Sequence, residues 1–473
     1  MSALRVAVVG AGIAGLTAAH AIRRRAAEAG RPVELTLLDA GARAGGQLQT
    51  VAEDGFRVEW AANAFRTGRG PTADLVARLG LEGERVVASP AANRRFVFHG
   101  GRLHALPAGP ASLLGFAPMS PAGRWRVLAE PFVARRVAHE ESVHDYAARH
   151  IGREAAELLL GTMVRGVYGG DARALSVDAA FPVMREMERD HRSLVVAGIA
   201  GARKRRLEGK TTWSFRGGMG VLMDRLAEDL GDAVLLGTAV TAVERGTGDH
   251  GYRLRVTGGA TLEADALVLA VPPAVASAWL RPLDAELADE VAAIVAADIA
   301  VAALAFRREA FAAPPEGYGF LVAPSEPLDV LGALFESNIF PGRAPEGHVL
   351  VRVIMGGADR ADVVRRDDQQ LVASALDVID RAVGLRSAPE RSWVHRQPAA
   401  IPQYLLGHLG RVERIERRLA GLPGLCVAGN AYRGIAVGSI VADAEVVAER
   451  VLRTADADPR PAAPVHERAM MSA

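Results

Sequence analysis

A glycine-rich turn set between a short strand and a helix constrains this chain more than any other feature. Residues Leu4–Val9 form an apolar, β-branched run, followed by Gly10-Ala11-Gly12-Ile13-Ala14-Gly15 and then an alanine-rich helical pattern over residues 13–29. Gly10 permits the tight turn, Gly12 lets the backbone approach a diphosphate, and Gly15 allows the helix to lie close on the loop. The helix N-terminus then stabilises the phosphate charge. A second buried strand, Val33–Leu38, ends in Asp39, placed to accept hydrogen bonds from ribose hydroxyls. The pattern predicts a βαβ unit opening a doubly wound α/β sheet that holds a dinucleotide.

The next residues decide which dinucleotide. Arg43-Ala44-Gly45-Gly46 follows the acidic residue, so paired glycines return the backbone to the diphosphate and Arg43 adds a permanent positive charge. NAD needs no such second wrap; FAD is the expected cofactor. Near the C-terminus, Leu425 to Ala428 reads as a strand, and Gly429-Asn430-Ala431-Tyr432-Arg433-Gly434 turns into a last helix over residues 442–452. Asn430 and the backbone of Ile435, Ala436 and Val437 are expected at the N1–C2 carbonyl end of the flavin, where negative charge builds on reduction. Cys426, the one cysteine, lies within that strand and is expected as a small core residue, leaving FAD bound non-covalently. A single cysteine also excludes an intramolecular disulfide and points to a reducing compartment.

The chain has 473 residues, enough for two or three domains. Its 56 basic and 55 acidic residues leave a net charge of +1, which gives no reason to expect nucleic acid. A strand pattern that begins at Leu4 leaves no room for a signal peptide, so a cytoplasmic location is expected. The longest apolar stretch, residues 291–306, contains Asp298, is short for a membrane span, and reads as a helix end followed by a strand. Residues 120–201 are mostly helical in pattern, including 142–149 and 154–163. A basic patch at residues 202–210 holds the two lysines, Lys204 and Lys210, before a strand at Trp213 and a helix over 221–230. Strands follow at 234–243, 252–256 and 266–271, and the tail from residue 456 is rich in Pro and Ala and expected to be disordered. His20, His99, His104, His139, His144 and His150 lack metal-ligand spacing and read as structural or surface residues.

Several segments resemble the protoporphyrinogen oxidase family, within the flavin amine oxidase superfamily, and its myxobacterial-type members most. They are Asn93-Arg94-Arg95-Phe96 running to Pro107, Gly166-Val167-Tyr168-Gly169-Gly170-Asp171 with Leu175-Ser176, His191-Arg192-Ser193, Ser214-Phe215-Arg216-Gly217-Gly218, and Ile401-Pro402-Gln403-Tyr404. The resemblance covers about residues 4–452. It implies a Rossmann-like FAD domain (1–88, 232–290, 400–455), a mixed α+β substrate domain (89–96, 213–231, 291–399) and a helical, membrane-associating domain (97–212).

On that resemblance Arg95 pairs with a substrate propionate, the Gly170 carbonyl faces the macrocycle, and Leu321, Leu334 and Ile354 sandwich the pyrrole rings. Ala40, Gln47, Val240 and the segment Ala61-Ala62-Asn63-Ala64 join the expected FAD contacts. This last segment departs from the family's usual Gly-Pro-Asn-Ser, Gly438-Ser439-Ile440 departs from its Asn-Asp-Cys, and Ile354 stands where an aromatic is frequent. The implied reaction is oxidation of a porphyrinogen by molecular oxygen, with hydrogen peroxide released. Coproporphyrinogen oxidation uses the same chemistry and is the nearest alternative. An amine oxidase would place a lysine after the strand at 267–271, and past Lys210 the chain has none. A non-catalytic flavin-fold binding protein is the reading outside catalysis. Peripheral membrane contact on the cytoplasmic face, through Trp125, Leu128, Phe132 and Val133 beside Arg124, Arg135 and Arg136, is a further expectation. A homodimer and product hand-off to ferrochelatase are others.

Overall fold

A computed structural model of the chain describes residues 3–66, 70–133, 137–198, 200–201, 212–246 and 251–454. Arg135, Arg136, the basic patch at 202–210 and the tail from residue 456 lie outside the described residues.

Leu4–Val9 pairs in parallel with Val33–Leu38 on one side and with Ala266–Leu269 on the other. Val234–Leu235 and Leu425–Val427 complete a five-stranded parallel sheet. Ala266–Leu269 and Leu425–Val427 read as unbroken apolar runs because both faces are covered, while Arg5 and Glu34 stand near the starts of the two longer strands. Helices Ile13–Glu28 and Val437–Thr454 cover one face, sharing a core with Val6, Val8, Leu16 and Val447. An antiparallel meander (Val240–Arg245, Tyr252–Val256, Thr261–Ala264) and helices Pro273–Leu280 and Ala285–Ala292 cover the other. The span read as one strand over 234–243 is two strands, because the chain turns at Gly237, φ +67°, to leave the parallel sheet for the meander.

A second sheet runs in the order Arg391–Pro402, Ala296–Arg307, His348–Gly357, Val330–Phe335, Gly319–Val322, Phe96–His99, Arg102–Ala105. One face buries Phe98, Phe306, Phe320, Phe335 and Met355 together with Leu371, Ala375 and Ile379 of helix Asp368–Val383. Two expected boundaries shift. Val97 pairs with Leu321 and with His104, so residues 97–105 belong to this sheet rather than to the helical region. Residues 213–231 join the first domain instead of the second: Trp213, Phe215, Leu222 and Leu226 share the core of Val6 and Leu16.

The helical region includes Pro121–Leu128, Val143–Ile151, Thr162–Tyr168 and Pro182–His191. The span read as one helix over 154–163 contains a wider π-helical turn, Ala156–Gly161. Inside this region His150, fully buried, has Nδ1 2.7 Å from Glu130 and Nε2 3.3 Å from Glu188. Arg149 reaches Glu141 at 2.6 Å and Glu188 at 2.8 Å. Burial by itself raises the Glu130 carboxyl, but hydrogen bonds from His150, Ser193 and the amides of Leu194 and Val195 outweigh it and hold the group below the usual carboxylate range. Glu188 is held low in the same way, by Arg149, Arg185 and His150 against its burial.

Carboxylates held low stabilise fully above their unfolded value, 4.5, and lose that contribution as the pH falls through the lower native one. Acidification below about pH 4.5 should therefore loosen this region. Limited proteolysis mapped by mass spectrometry checks this, with cleavage within residues 120–191 rising as the pH falls. Glu130→Gln should cost about 1–3 kcal/mol at neutral pH and flatten the acid dependence.

Candidate active site

Gly10 turns at φ +107°, and its amide donates to the Leu38 carbonyl at 2.7 Å. A Cβ on Gly15 would sit 1.8 Å from the Gly10 carbonyl oxygen, so only glycine lets the helix lie on this loop. The second glycine pair packs against the first. Gly45 donates to the Ala11 carbonyl at 2.8 Å, and a Cβ on Gly46 would meet Gly12 Cα at 3.1 Å. Asp39 accepts from the amides of Ala11 at 2.6 Å and Gly41 at 2.7 Å, which leaves a lone pair on each oxygen for a ribose hydroxyl. Helix Ile13–Glu28 begins at Gly12 with no side-chain cap, so its first amides, Ile13 and Ala14 included, await an outside acceptor.

Arg43 is exposed, makes no ion pair among the described residues, and lines a cavity of about 360 Å³ with Thr50, Gly220 and Asp224. Ala40, Gly46 and Gln47 are exposed as well. Val240 has its side chain in the core with Val9 and Leu38, which leaves only its backbone for a cofactor. This donor set fits the ADP half of FAD.

Where strand Leu425–Val427 ends, Gly429 (φ +126°) and Gly434 (φ +120°) shape the turn before helix Val437–Thr454. The buried Tyr404 hydroxyl fixes that turn, donating to the Asn430 carbonyl at 2.6 Å and accepting from the Gly434 amide at 2.8 Å. Its neighbour Gln403 donates to the carbonyls of Tyr168 at 2.8 Å and Ile401 at 2.9 Å. A Cβ on Gly170 would lie 2.2 Å from Gln403 Oε1, so Gly170 is pressed onto this carboxamide. Ile435 packs in the same cluster as Tyr168 and Tyr404. The structure therefore gathers Gly170, Asn430 and Ile435, with Ala436 and Val437 leading into the helix. Cys426 sits in the core of the parallel sheet, and burial pushes its thiol up to about 11, which makes it a poor nucleophile at neutral pH.

Register places the apolar trio together. Leu321, Gly332 and Ile354 are direct partners across three strands, and Gly319, Leu334 and Arg352 form the adjacent row. Strand alternation puts these two rows on one face. Leu321, Leu334 and Ile354 are only partly buried, whereas Phe320, Ala333, Val353 and Met355 between them are buried on the other face. Helix Thr162–Tyr168 crosses over one side of the face, where a Cβ on Gly166 would meet Leu321 Cδ2 at 2.4 Å. On the other side Ile354 packs with Trp60, whose ring stacks on His395 at 5.0 Å. Arg95 immediately precedes strand Phe96–His99, is exposed, and lies with its guanidinium carbon 4.9 Å over the Tyr318 ring. It makes no ion pair among the described residues.

Sequence reasoning missed the buried charges Arg352, Glu336 and Arg343, and the partner that Asn63 finds among them. Arg352 pairs with Glu336 at 2.7 Å and donates to the carbonyls of Ala61 at 2.5 Å and Glu59 at 3.2 Å. Asn63 donates to both Glu336 oxygens, at 3.2 and 3.1 Å. Glu59 in turn pairs with Arg343 at 3.0 Å, and all four charged groups are buried. Burial lifts the Glu59 carboxyl above the usual range even with Arg343 and Thr50 pulling it down. The signal was present: Arg352 interrupts the apolar run Val349-Leu350-Val351-Arg352-Val353-Ile354-Met355, where a charge demands a partner.

Comparison with known proteins gives concordant results. The model of the flavin containing amine oxidoreductases matches residues 13–452. The protoporphyrinogen oxidase of Macaca fascicularis is 32% identical over 480 residues, covering 95% of this chain and 98% of its own. The coproporphyrinogen III oxidase of Bacillus subtilis is 27% identical over 453 residues, covering 91% and 94%. A solved Exiguobacterium structure, whose name carries protoporphyrinogen oxidase as a provisional assignment, superposes with a TM-score of 0.84. It shares 26% identity and covers 96% of this chain and 100% of its own.

The glycine cradle yields a direct test. Gly15→Ala should yield protein with less than about a tenth of the wild-type flavin content, read from absorbance near 450 nm, because the helix must move off the loop. Full flavin occupancy in this variant would overturn the cradle's assignment.

Proposed function

The chain belongs to the flavin containing amine oxidoreductase family and is an FAD-dependent oxidoreductase; from this premise we propose that it is an oxygen-dependent protoporphyrinogen oxidase. The reaction is the six-electron oxidation of protoporphyrinogen IX to protoporphyrin IX, in three two-electron steps, with hydrogen peroxide released. The glycine turns at Gly10–Gly15 and Gly45–Gly46, with Asp39, would hold FAD, which would supply the hydride-accepting and oxygen-reducing chemistry.

The protein's own part is placement. Holding a bridge carbon about 3–3.5 Å from its acceptor removes most of the entropic barrier. Leu321, Leu334 and Ile354 offer an apolar face to the pyrroles, and the Gly170 carbonyl accepts from a pyrrole N–H that becomes acidic as hydride leaves. Arg95 takes a propionate in a charge-assisted pair. The observation that carries the reading is this free guanidinium at the edge of a partly buried apolar sheet face, with the Gly166–Gly170 segment lying over it.

Relatives named coproporphyrinogen III oxidase match over the same length, so the four-propionate substrate is the second reading. Beside Arg95, Arg94 is paired with Glu316 at 2.6 Å, and Arg352 is committed to Glu336. Of Arg94, Arg95 and Arg352, only Arg95 lacks an ion pair among the described residues, which supports the substrate with fewer carboxylates. The absence of any lysine after Lys210 speaks against an amine oxidase.

Peripheral attachment to the cytoplasmic membrane face belongs to the same proposal. Among the described residues no helix is long and apolar enough to cross a membrane. The helical region exposes Leu114, Trp125, Phe132 and Val133, and Phe132 is 89% exposed. A homodimer and transfer of product to a ferrochelatase are proposed on family grounds alone.

Purified enzyme assayed under air should develop porphyrin fluorescence with both porphyrinogens, at a kcat/KM about tenfold higher for protoporphyrinogen. Arg95→Ala should lower that value by about 10- to 100-fold. No fluorescence from either substrate would defeat the reading. In flotation on anionic vesicles the wild-type protein should rise with the lipid, and Trp125→Ser with Phe132→Ser should abolish it. A wild-type protein left at the bottom of the gradient would remove the membrane claim.

A further inference from the structure

Resting on the porphyrinogen reading above, we propose that Tyr318 is a positioning residue for the substrate carboxylate. It aims Arg95, and through Asn63 it ties that grip to the segment expected along the flavin. A free arginine side chain carries up to about 2 kcal/mol of rotamer entropy that a ligand must quench. Arg95 is exposed and makes no ion pair among the described residues, so among them the Tyr318 ring is what orders it. The Tyr318 ring lies under its guanidinium carbon at 4.9 Å, which supplies an electrostatic seat without consuming the N–H groups that would face a carboxylate.

Tyr318 is itself held. It is half-buried, and its hydroxyl donates to Asn63 Oδ1 at 3.5 Å. Asn63 has only one orientation available. Its amide nitrogen donates to both oxygens of Glu336, an acceptor-only group, which turns Oδ1 toward the phenol. Glu336 is fixed in turn by Arg352, which also grips the Ala61 carbonyl. Burial, with Glu336 nearby, lifts the Tyr318 phenol above its ordinary value, so the hydroxyl stays protonated and remains a donor. The chain of contacts runs unbroken from the rim of the sheet face to the 61–63 backbone. A carboxylate arriving at Arg95 meets a guanidinium already ordered, and binding loses less to entropy.

A double-mutant cycle tests this, using FAD-loaded full-length enzyme with protoporphyrinogen and its dimethyl ester as probes. Tyr318→Leu should raise KM for the diacid by about three- to tenfold, the range of a cation–π contact, with kcat changed by less than about twofold. In the Arg95→Ala background the same substitution should add nothing, because the group it positions is gone. With the ester, which offers Arg95 no carboxylate, the KM ratio of Tyr318→Leu to wild type should collapse to about one.

An equal rise in KM on diacid and ester, or additive effects of the two substitutions, would assign Tyr318 to packing alone and overturn the proposal. No change in KM on the diacid would do the same. If Tyr318→Leu fails to fold with flavin, Tyr318→Met replaces it in the cycle. Absence of wild-type turnover on both probes would instead sink the porphyrinogen reading, and this proposal with it.

Discussion

Two buried ion pairs hold the architecture in register where the parallel sheet's domain meets the seven-stranded sheet. Glu59, on the hairpin strand Phe56–Glu59, pairs with Arg343, while Arg352, inside the second sheet, pairs with Glu336 and donates to the backbone of Glu59 and Ala61. Charges this deep lose most of their hydration, so the pairs add little net stability, but removing one partner strands the other at a cost of about 3–5 kcal/mol. Their value is geometric. Apolar surfaces tolerate sliding; a guanidinium fork satisfied by a carboxylate and two carbonyls does not. Glu59 also accepts from Thr50 and from the Met219 amide at the start of helix Gly220–Leu230, so three parts of the chain converge on one carboxylate.

With that seam fixed, the sheet face follows. The rows that carry Leu334 and Arg352, and Leu321 and Ile354, share one face of the second sheet. Gly166 packs on Leu321 from the helix that leads to Gly170, whose neighbour Tyr168 is pinned by Gln403. Two titratable groups in this neighbourhood are committed to structure: Glu336 to Arg352 and Asn63, and Tyr404 to the Asn430–Gly434 turn. Chemistry that needs orientation more than a protonated acid or a strong base suits such a site. The glycines serve the same end, since each close approach brings a carbonyl or amide to a place no side chain could reach.

Much of this was legible before any coordinates. The βαβ unit and both glycine pairs were readable because dinucleotide binding leaves a local signature: a turn, a close approach and a charge at fixed spacing in one stretch of chain. Boundaries were less legible. Residues 97–105 and 213–231 were placed in the wrong units because their partners, Gly319–Val322 for the first and the Val6–Leu16 core for the second, lie far away in sequence. The break at Gly237 was passed over because a glycine between two apolar runs marks a turn only when the flanking strands belong to different sheets.

By itself, then, the amino-acid sequence determined the βαβ unit over residues 4–39 and the glycine turns at 10–15 and 45–46, which follow from local backbone geometry and fixed spacing within one stretch of chain. Tertiary structure alone decided that Arg95 rests on Tyr318, that Asn63 faces Glu336, and that Leu321, Leu334 and Ile354 share a face. These depend on strand register and on burial. A one-residue slip would turn every one of those side chains to the opposite side, and no local pattern records which register the whole core selects.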